Sequence, residues 1–178
     1  VRDKNGTVYL GTGYDGKIFR VKAGRVKQIA TTGQLVVTSL ALDNKGNLYA
    51  STLPDPIIWK VSGPSKISGK PEAAKEWAKL PKGTEHVFTI AFGGRGKTLY
   101  AGTGPEGKLF AIGKDRRASV YLDLEEQHIL SIAALGKGEL AVGTSPGAKL
   151  LKVSGPGRAS ALADFEGTEV KALVVQKD

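Results

Sequence analysis

The stretch LYAGTGPEGKLFAI, Leu99 to Ile112, decides the fold because the chain repeats it. It occurs earlier as VYLGTGYDGKIFRV, Val8 to Val21, and later as LAVGTSPGAKLLKV, Leu140 to Val153. A fourth copy, LYASTLPDPIIWKV, Leu48 to Val61, keeps the frame without the glycines. Two copies satisfy GxGxxG, from Gly102 to Gly107 and from Gly11 to Gly16, each with a lysine behind it, Lys108 or Lys17. A phosphate-binding loop needs a helix to follow, because the anion sits on the helix N-terminus. The apolar, strand-like runs LFAI and IFRV follow instead, and Leu109 and Ile18 stand where a Mg²⁺-holding Ser or Thr is required. The glycines therefore read as hairpin residues taking positive φ between two strands.

The matched positions Gly11, Ser51, Gly102 and Gly143 stand 40, 51 and 41 residues apart. Each unit yields four strand-like runs, labelled A to D from the inside outward. The A runs are VTSLALD (Val37 to Asp43), VFTIAFG (Val87 to Gly93), ILSIAAL (Ile129 to Leu135) and VKALVVQ (Val170 to Gln176). They are β-branched and rich in small residues, as a strand buried near an axis should be. B and C are the arms of the repeated hairpin. The D runs VKQIAT, KEWAKL, SVYLDL and SALADF are less apolar, which an outer edge strand tolerates. A period of about 40–50 residues with four short strands per unit indicates propeller blades. The longer second interval comes from SGPSKISGKPEAAKEW, Ser62 to Trp77, expected as a surface loop. Within it only Pro71 to Lys79 has helical capacity, and alignment of the units assigns AKEWAKL to strand D.

The expected fold is thus all-β, a β-propeller of four-stranded antiparallel blades, about four of them in one domain. The units run 1–36 plus 169–178, 37–86, 87–128 and 129–168. Residues 1–35 supply only B, C and D, so Val170 to Asp178 is expected to pair with the first B strand and close the ring. Gln176-Lys177-Asp178 also matches Val1-Arg2-Asp3, so the alternative is a part, or one half, of a larger ring.

Composition narrows the chemistry. The 178 residues suffice for a sizeable core, and the 24 glycines fall at turns spaced along the chain. Without cysteine there is no disulfide, thiolate metal site or cysteine nucleophile. The chain opens at Val1 without methionine, as a processed product or an excised piece does, and a periplasmic or extracellular location is expected ahead of a cytoplasmic one. No run reaches the roughly 18 apolar residues of a membrane span. The net charge of +9 is spread out with no basic cluster, so it reads as a solvated surface and no nucleic-acid partner is expected.

The segment LDNKGNLYASTLPDPIIWKV, Leu42 to Val61, resembles the blade of NHL-type and SMP-30/gluconolactonase-like propellers: an Asp, a Gly-Asn turn, Leu-Tyr and an aliphatic-rich return strand. The resemblance extends over the chain at blade level and implies the propeller fold. Its lactonase-like members imply a divalent metal held by carboxylates and amides at the channel mouth, a set that no residues of this chain match.

In such a fold the D-to-A connections open on the same face as the B-to-C hairpins. His86 and His128, the only histidines, occupy one position in consecutive units, and Glu169 and Val36 occupy it in the others. His86, His128 and Glu169 are expected to face the channel mouth, with Glu85 and Gln127 beside them. Two imidazoles and a carboxylate suit an ion such as Zn²⁺, or acid–base work; repetition alone also accounts for them as pore-lining residues. Tyr14 and Asp15 form the tip of the first hairpin, where an exposed aromatic suits contact with a partner. The recurring Tyr9, Tyr49, Tyr100, Phe19, Trp59 and Phe110 are expected between blades. No GxSxG supports a serine nucleophile. The first functional reading is a non-enzymatic binding module, without cofactor, that presents these loops to a protein, peptide or glycan. The alternatives are a metal-dependent hydrolase or lactonase, and a repeat unit that self-associates, as a homodimer, into a larger ring.

Overall fold

The computed structural model describes residues 1–93 and 96–176, in which every regular element is a strand. The first unit supplies β1 (Val8–Gly11), β2 (Lys17–Lys22) and β3 (Arg25–Thr31). The second blade is β4 (Val36–Leu42), β5 (Leu48–Leu53), β6 (Ile57–Val61) and β8 (Lys75–Lys79). The third is β9 (His86–Gly93), β10 (Thr98–Gly104), β11 (Lys108–Ile112) and β12 (Ala118–Asp123). The fourth is β13 (His128–Gly136), β14 (Glu139–Ser145), β15 (Lys149–Gly155) and β16 (Arg158–Asp164). These three blades are antiparallel meanders in chain order. The hairpin reading holds in register, with Leu99 opposite Ile112 and Gly102 opposite Leu109.

The blades stack face to face, so their B strands are covered on both sides: β10 and β14 are buried at every position after the first, whereas β16 is exposed at nearly every one. Three apolar layers result, one per blade junction. Ile18 and Tyr9 meet Leu48 between the first two blades, Tyr49 and Ile58 meet Leu99 in the next layer, and Leu109 meets Ile129 and Leu140 in the last. Leu99, Leu109, Ile129 and Leu140 are fully buried, each contributing roughly 1.5–3 kcal/mol. Of the six recurring aromatics, Tyr9, Tyr49, Tyr100 and Phe110 are buried, and Phe19 and Trp59 are half-buried.

One small residue sets each of these junctions and another the seat of the terminal run. A Cβ on Gly102 would lie 2.5 Å from Ile129 Cγ2, and one on Gly11 or Gly143 would collide with Val37 or Val170. At the remaining junction Ser51 holds the Thr38 hydroxyl at 2.8 Å, and Thr38 donates to the Val87 carbonyl at 2.7 Å. These first glycines of the motif thus serve close approach between blades, which corrects the expectation that all of them adopt positive φ. Gly16 and Gly107, at +58° and +54°, do adopt it.

Among the described residues, the ring does not close through the chain ends. Val170 docks on the fourth blade as Val37 docks on the first: its amide donates to the Thr144 carbonyl at 3.0 Å, as Val37 donates to Thr12 at 2.9 Å. The run from Val170 to Gln176 therefore lies at the position of an A strand but forms no ladder with β1. Part of that edge is taken: Val1 and Tyr9 exchange both backbone hydrogen bonds, at 2.9 and 2.8 Å, and Arg2 bridges Val8. Lys177 and Asp178, which complete the expected closing segment, lie outside the described residues, as do Gly94 and Arg95 of the third A-to-B turn.

The segment from Ser62 to Ala74 is not a free surface loop. It crosses back to the first blade, where Arg20 donates to the carbonyls of Pro64 (3.1 Å) and Ser65 (2.5 Å) and Lys27 to that of Ser68. Ile67 is buried in the first junction, and β7 (Glu72–Ala73) pairs parallel with β3. The first sheet therefore gains its fourth strand on the outside. Trp77, within the stretch with helical capacity, sits on β8 as an extended residue, its ring 4.9 Å from that of Tyr49.

Candidate functional site

Hairpins and D-to-A loops share one face because they are tied by backbone hydrogen bonds. The Gly107 amide donates to the Gln127 carbonyl at 2.7 Å, and the Gly107 carbonyl accepts from Leu124 at 3.3 Å. Gly16 does the same with Leu35 (3.2 Å) and Thr32 (2.9 Å), and the carbonyls of Pro56 and Ala148 accept from Leu80 and Phe165. A Cβ on Gly107 would strike the Glu126 carbonyl, so the left-handed backbone and the close approach both require glycine.

Each hairpin is braced by a threonine at the end of its B strand. Thr103 donates to the Lys108 carbonyl at 2.8 Å, Thr144 accepts from the Lys149 amide at 3.2 Å, and Thr52 accepts from Trp59 Nε1 at 3.0 Å. Thr12 accepts from the Lys17 amide at 3.0 Å and donates to Asp15 at 2.6 Å. Asp15 also pairs with Lys17 at 2.5 Å, and this contact, then that of Thr12, lowers its pKa. The tip residue Tyr14 is 83% exposed on this braced turn.

The two histidine rings pack on one aromatic ring. Phe88, on β9, lies 5.8 Å from His86 and 5.4 Å from His128 between centroids. His128 also rests against Gly104, where any side chain would displace it. Among the described residues, the Nδ1 atoms of both histidines are buried without a hydrogen-bond partner. Glu169 is separate in its chemistry: it pairs with Lys171 at 2.7 Å. Among the described residues, no three His, Asp or Glu side chains gather in a metal-holding arrangement. The side chains of Glu85 and Gln127 are exposed and hold no partner among the described residues.

The polar residue that engages this face stands one position earlier than those two. Glu126 accepts from the Gly147 amide at 3.0 Å and pairs with Lys149 at 2.7 Å, and chiefly the lysine contact holds its carboxyl below the usual range. Gln34, at the same position, exchanges two hydrogen bonds with Asp55 at 3.2 and 3.3 Å. The recurrence of Thr12, Thr52, Thr103 and Thr144 is a signal visible in the repeat. Phe88 has none, since Thr38, Leu130 and Lys171 hold its position in the other runs. The four innermost runs border a central cavity of about 290 Å³ that Phe88 and Lys171 help to line.

No protein-family model matches the chain, and no curated protein matches it. Solved structures do. Virginiamycin B lyase from Staphylococcus aureus is 14% identical with a TM-score of 0.70, over 91% of this chain and 53% of that one. A chain of a nidogen/laminin complex is 17% identical with a TM-score of 0.71, over 92% and 64%. YCF48, solved bound to D1 peptide, is 15% identical with a TM-score of 0.62, over 88% and 49%. The chain thus spans less than two thirds of the length of each. At these identities the likeness concerns architecture alone, and with four sheets, stacked blades and an unclosed ring it shows a partial β-propeller.

Proposed function

We propose that this chain is a non-enzymatic binding module that offers its hairpin and D-to-A loop face to a protein or peptide. Tyr14 carries the reading: an aromatic left 83% exposed on a turn that Thr12, Asp15 and Lys17 hold rigid. A rigid exposed aromatic contributes contact area at little entropic cost, which is what interface anchors require. Phe88 with the half-buried His86 and His128 supplies a second contact patch nearer the axis. Two of the similar structures are complexes with a protein or a peptide, laminin and D1 peptide, which supports this reading. In the second blade, Asp43 binds the Asn47 amide at 2.9 Å and the Tyr49 hydroxyl at 3.3 Å. That bonded unit supports the NHL-like character of the blade.

Panning a displayed random-peptide library on the immobilised chain tests the proposal. Selected peptides are expected to lose about tenfold or more in affinity with Tyr14→Ala and a smaller factor with His128→Ala. Peptides that bind both variants as tightly as the native chain would place recognition elsewhere and sink the reading.

A further inference from the structure

At the opposite end of the strands, the A-to-B turn of the second blade, the C-to-D turn of the third, and Lys60, Trp77, Phe92, Gly96 and Lys97 between them border a groove of about 470 Å³. Its volume lies in the range of small-molecule sites, roughly 300–1,000 Å³. Five cations line it: Lys45, Lys60, Lys97, Lys114 and Arg116. None makes an ion pair among the described residues; Lys60 lies over the Tyr49 ring at 5.4 Å. Asp43, the one carboxylate among the described residues of the groove, is already committed, accepting from the amides of Lys45 and Asn47, from Asn47 Nδ2 and from the Tyr49 hydroxyl. Asp115, in the turn beside Arg116, accepts from the Arg117 amide at 3.3 Å. The floor is aromatic, with Trp77 and Phe92 set edge-on to Tyr49 at 4.9 and 5.0 Å. Burial, then the Asp43 charge, pushes the Tyr49 hydroxyl up to about 12, so it stays protonated and neutral.

Five cations around one carboxylate leave the groove with an excess of positive charge, and a ligand that supplies further negative charge relieves their repulsion. From this juxtaposition we infer that the groove between the second and third blades binds a compact polyanion, two or more phosphate or sulfate groups on a small body. The aromatic floor takes the apolar side of that body, and the ammonium and guanidinium groups take the oxyanions. This site is independent of the hairpin face and stands or falls without it.

Titration calorimetry at low ionic strength tests it, with inorganic tripolyphosphate and a trisulfated disaccharide as probes. One-to-one binding of at least one probe is expected: tripolyphosphate alone assigns a phosphate ligand, and the disaccharide alone a sulfated sugar. Lys60→Gln with Arg116→Gln is expected to weaken binding by about tenfold or more. Lys45→Gln with Lys114→Gln, which leaves the Tyr49 contact intact, is expected to weaken it by a smaller factor. Lys22→Gln with Lys70→Gln, two exposed lysines outside the groove, is expected to leave affinity unchanged. Equal losses in the groove and control pairs would show only attraction to a basic surface and overturn the inference. So would the absence of one-to-one binding by either probe, or affinity appearing only with long oligonucleotides.

Discussion

At Gly102 a single hydrogen atom faces the next blade. A valine there would meet Ile129 Cγ2 at 2.5 Å and Thr89 Cγ2 at 2.8 Å, both in packed surroundings. Gly102→Val is therefore expected to cost ~2–3 kcal/mol in a urea titration, the scale of an overpacked core. Gly24→Ala serves as its comparison: its φ is +74° with no atom within 4 Å, so it should cost only the left-handed backbone penalty, about 1 kcal/mol. Equal losses in the two variants would show that space at the junction does not matter. The motif made the first and last glycines of GTGPEG look alike. Their reasons differ because Gly107 needs a positive φ in its turn as well as room against the Glu126 carbonyl, whereas Gly102 takes no positive φ and answers to Ile129 in the next blade, which no local pattern contains. The histidine positions were legible because the repeat fixed them relative to strand A. Glu126 was not, since its partners Gly147 and Lys149 become neighbours only when blades stack.

Among the elements, the segment from Ser62 to Ala74 differs most from its expectation. Gly, Pro, Ser and Lys describe a free loop and a docked one equally well, and only Ile67 and Ala74 carry apolar weight. What docks it is Arg20, a guanidinium on the first blade reaching two carbonyls. Arg20→Ala should release the segment without unfolding the blades. Loss of two hydrogen bonds to a charged donor, roughly 1.5–3 kcal/mol together, predicts faster trypsin cleavage at Lys66 and Lys70 by about tenfold or more. An unchanged cleavage rate would mean that Ile67 and β7 hold the segment by themselves. The strands themselves were well marked, because B runs are covered on both faces while D runs lie at the rim.

Across the whole molecule, stability depends on how many neighbours a blade has. The second and third blades are each packed on both faces, whereas β16 is exposed along nearly all its length and β1 leaves Leu10 48% exposed. In stacked repeats, opening free energy falls toward an uncovered end. Hydrogen exchange should therefore be slowest in the amides of β5, β6, β10 and β11 and fastest in β16. Comparable rates in β16 and β10 would contradict this gradient. The number of repeats was readable from their spacing, whereas an open and a closed ring fitted that spacing equally, because pairing along the β1 edge is a backbone matter that side-chain pattern does not record. The junction residues carry one more implication. Where each blade meets the next, a single side-chain volume acts as a shim near the axis: Gly11 on Val37, Ser51 at the Thr38 hydroxyl, Gly102 on Ile129, Gly143 on Val170. A thicker shim near the axis than at the rim changes the wedge between successive sheets. The curvature of the stack, and with it the circumference it tends toward, is accordingly adjustable in increments of one methyl group.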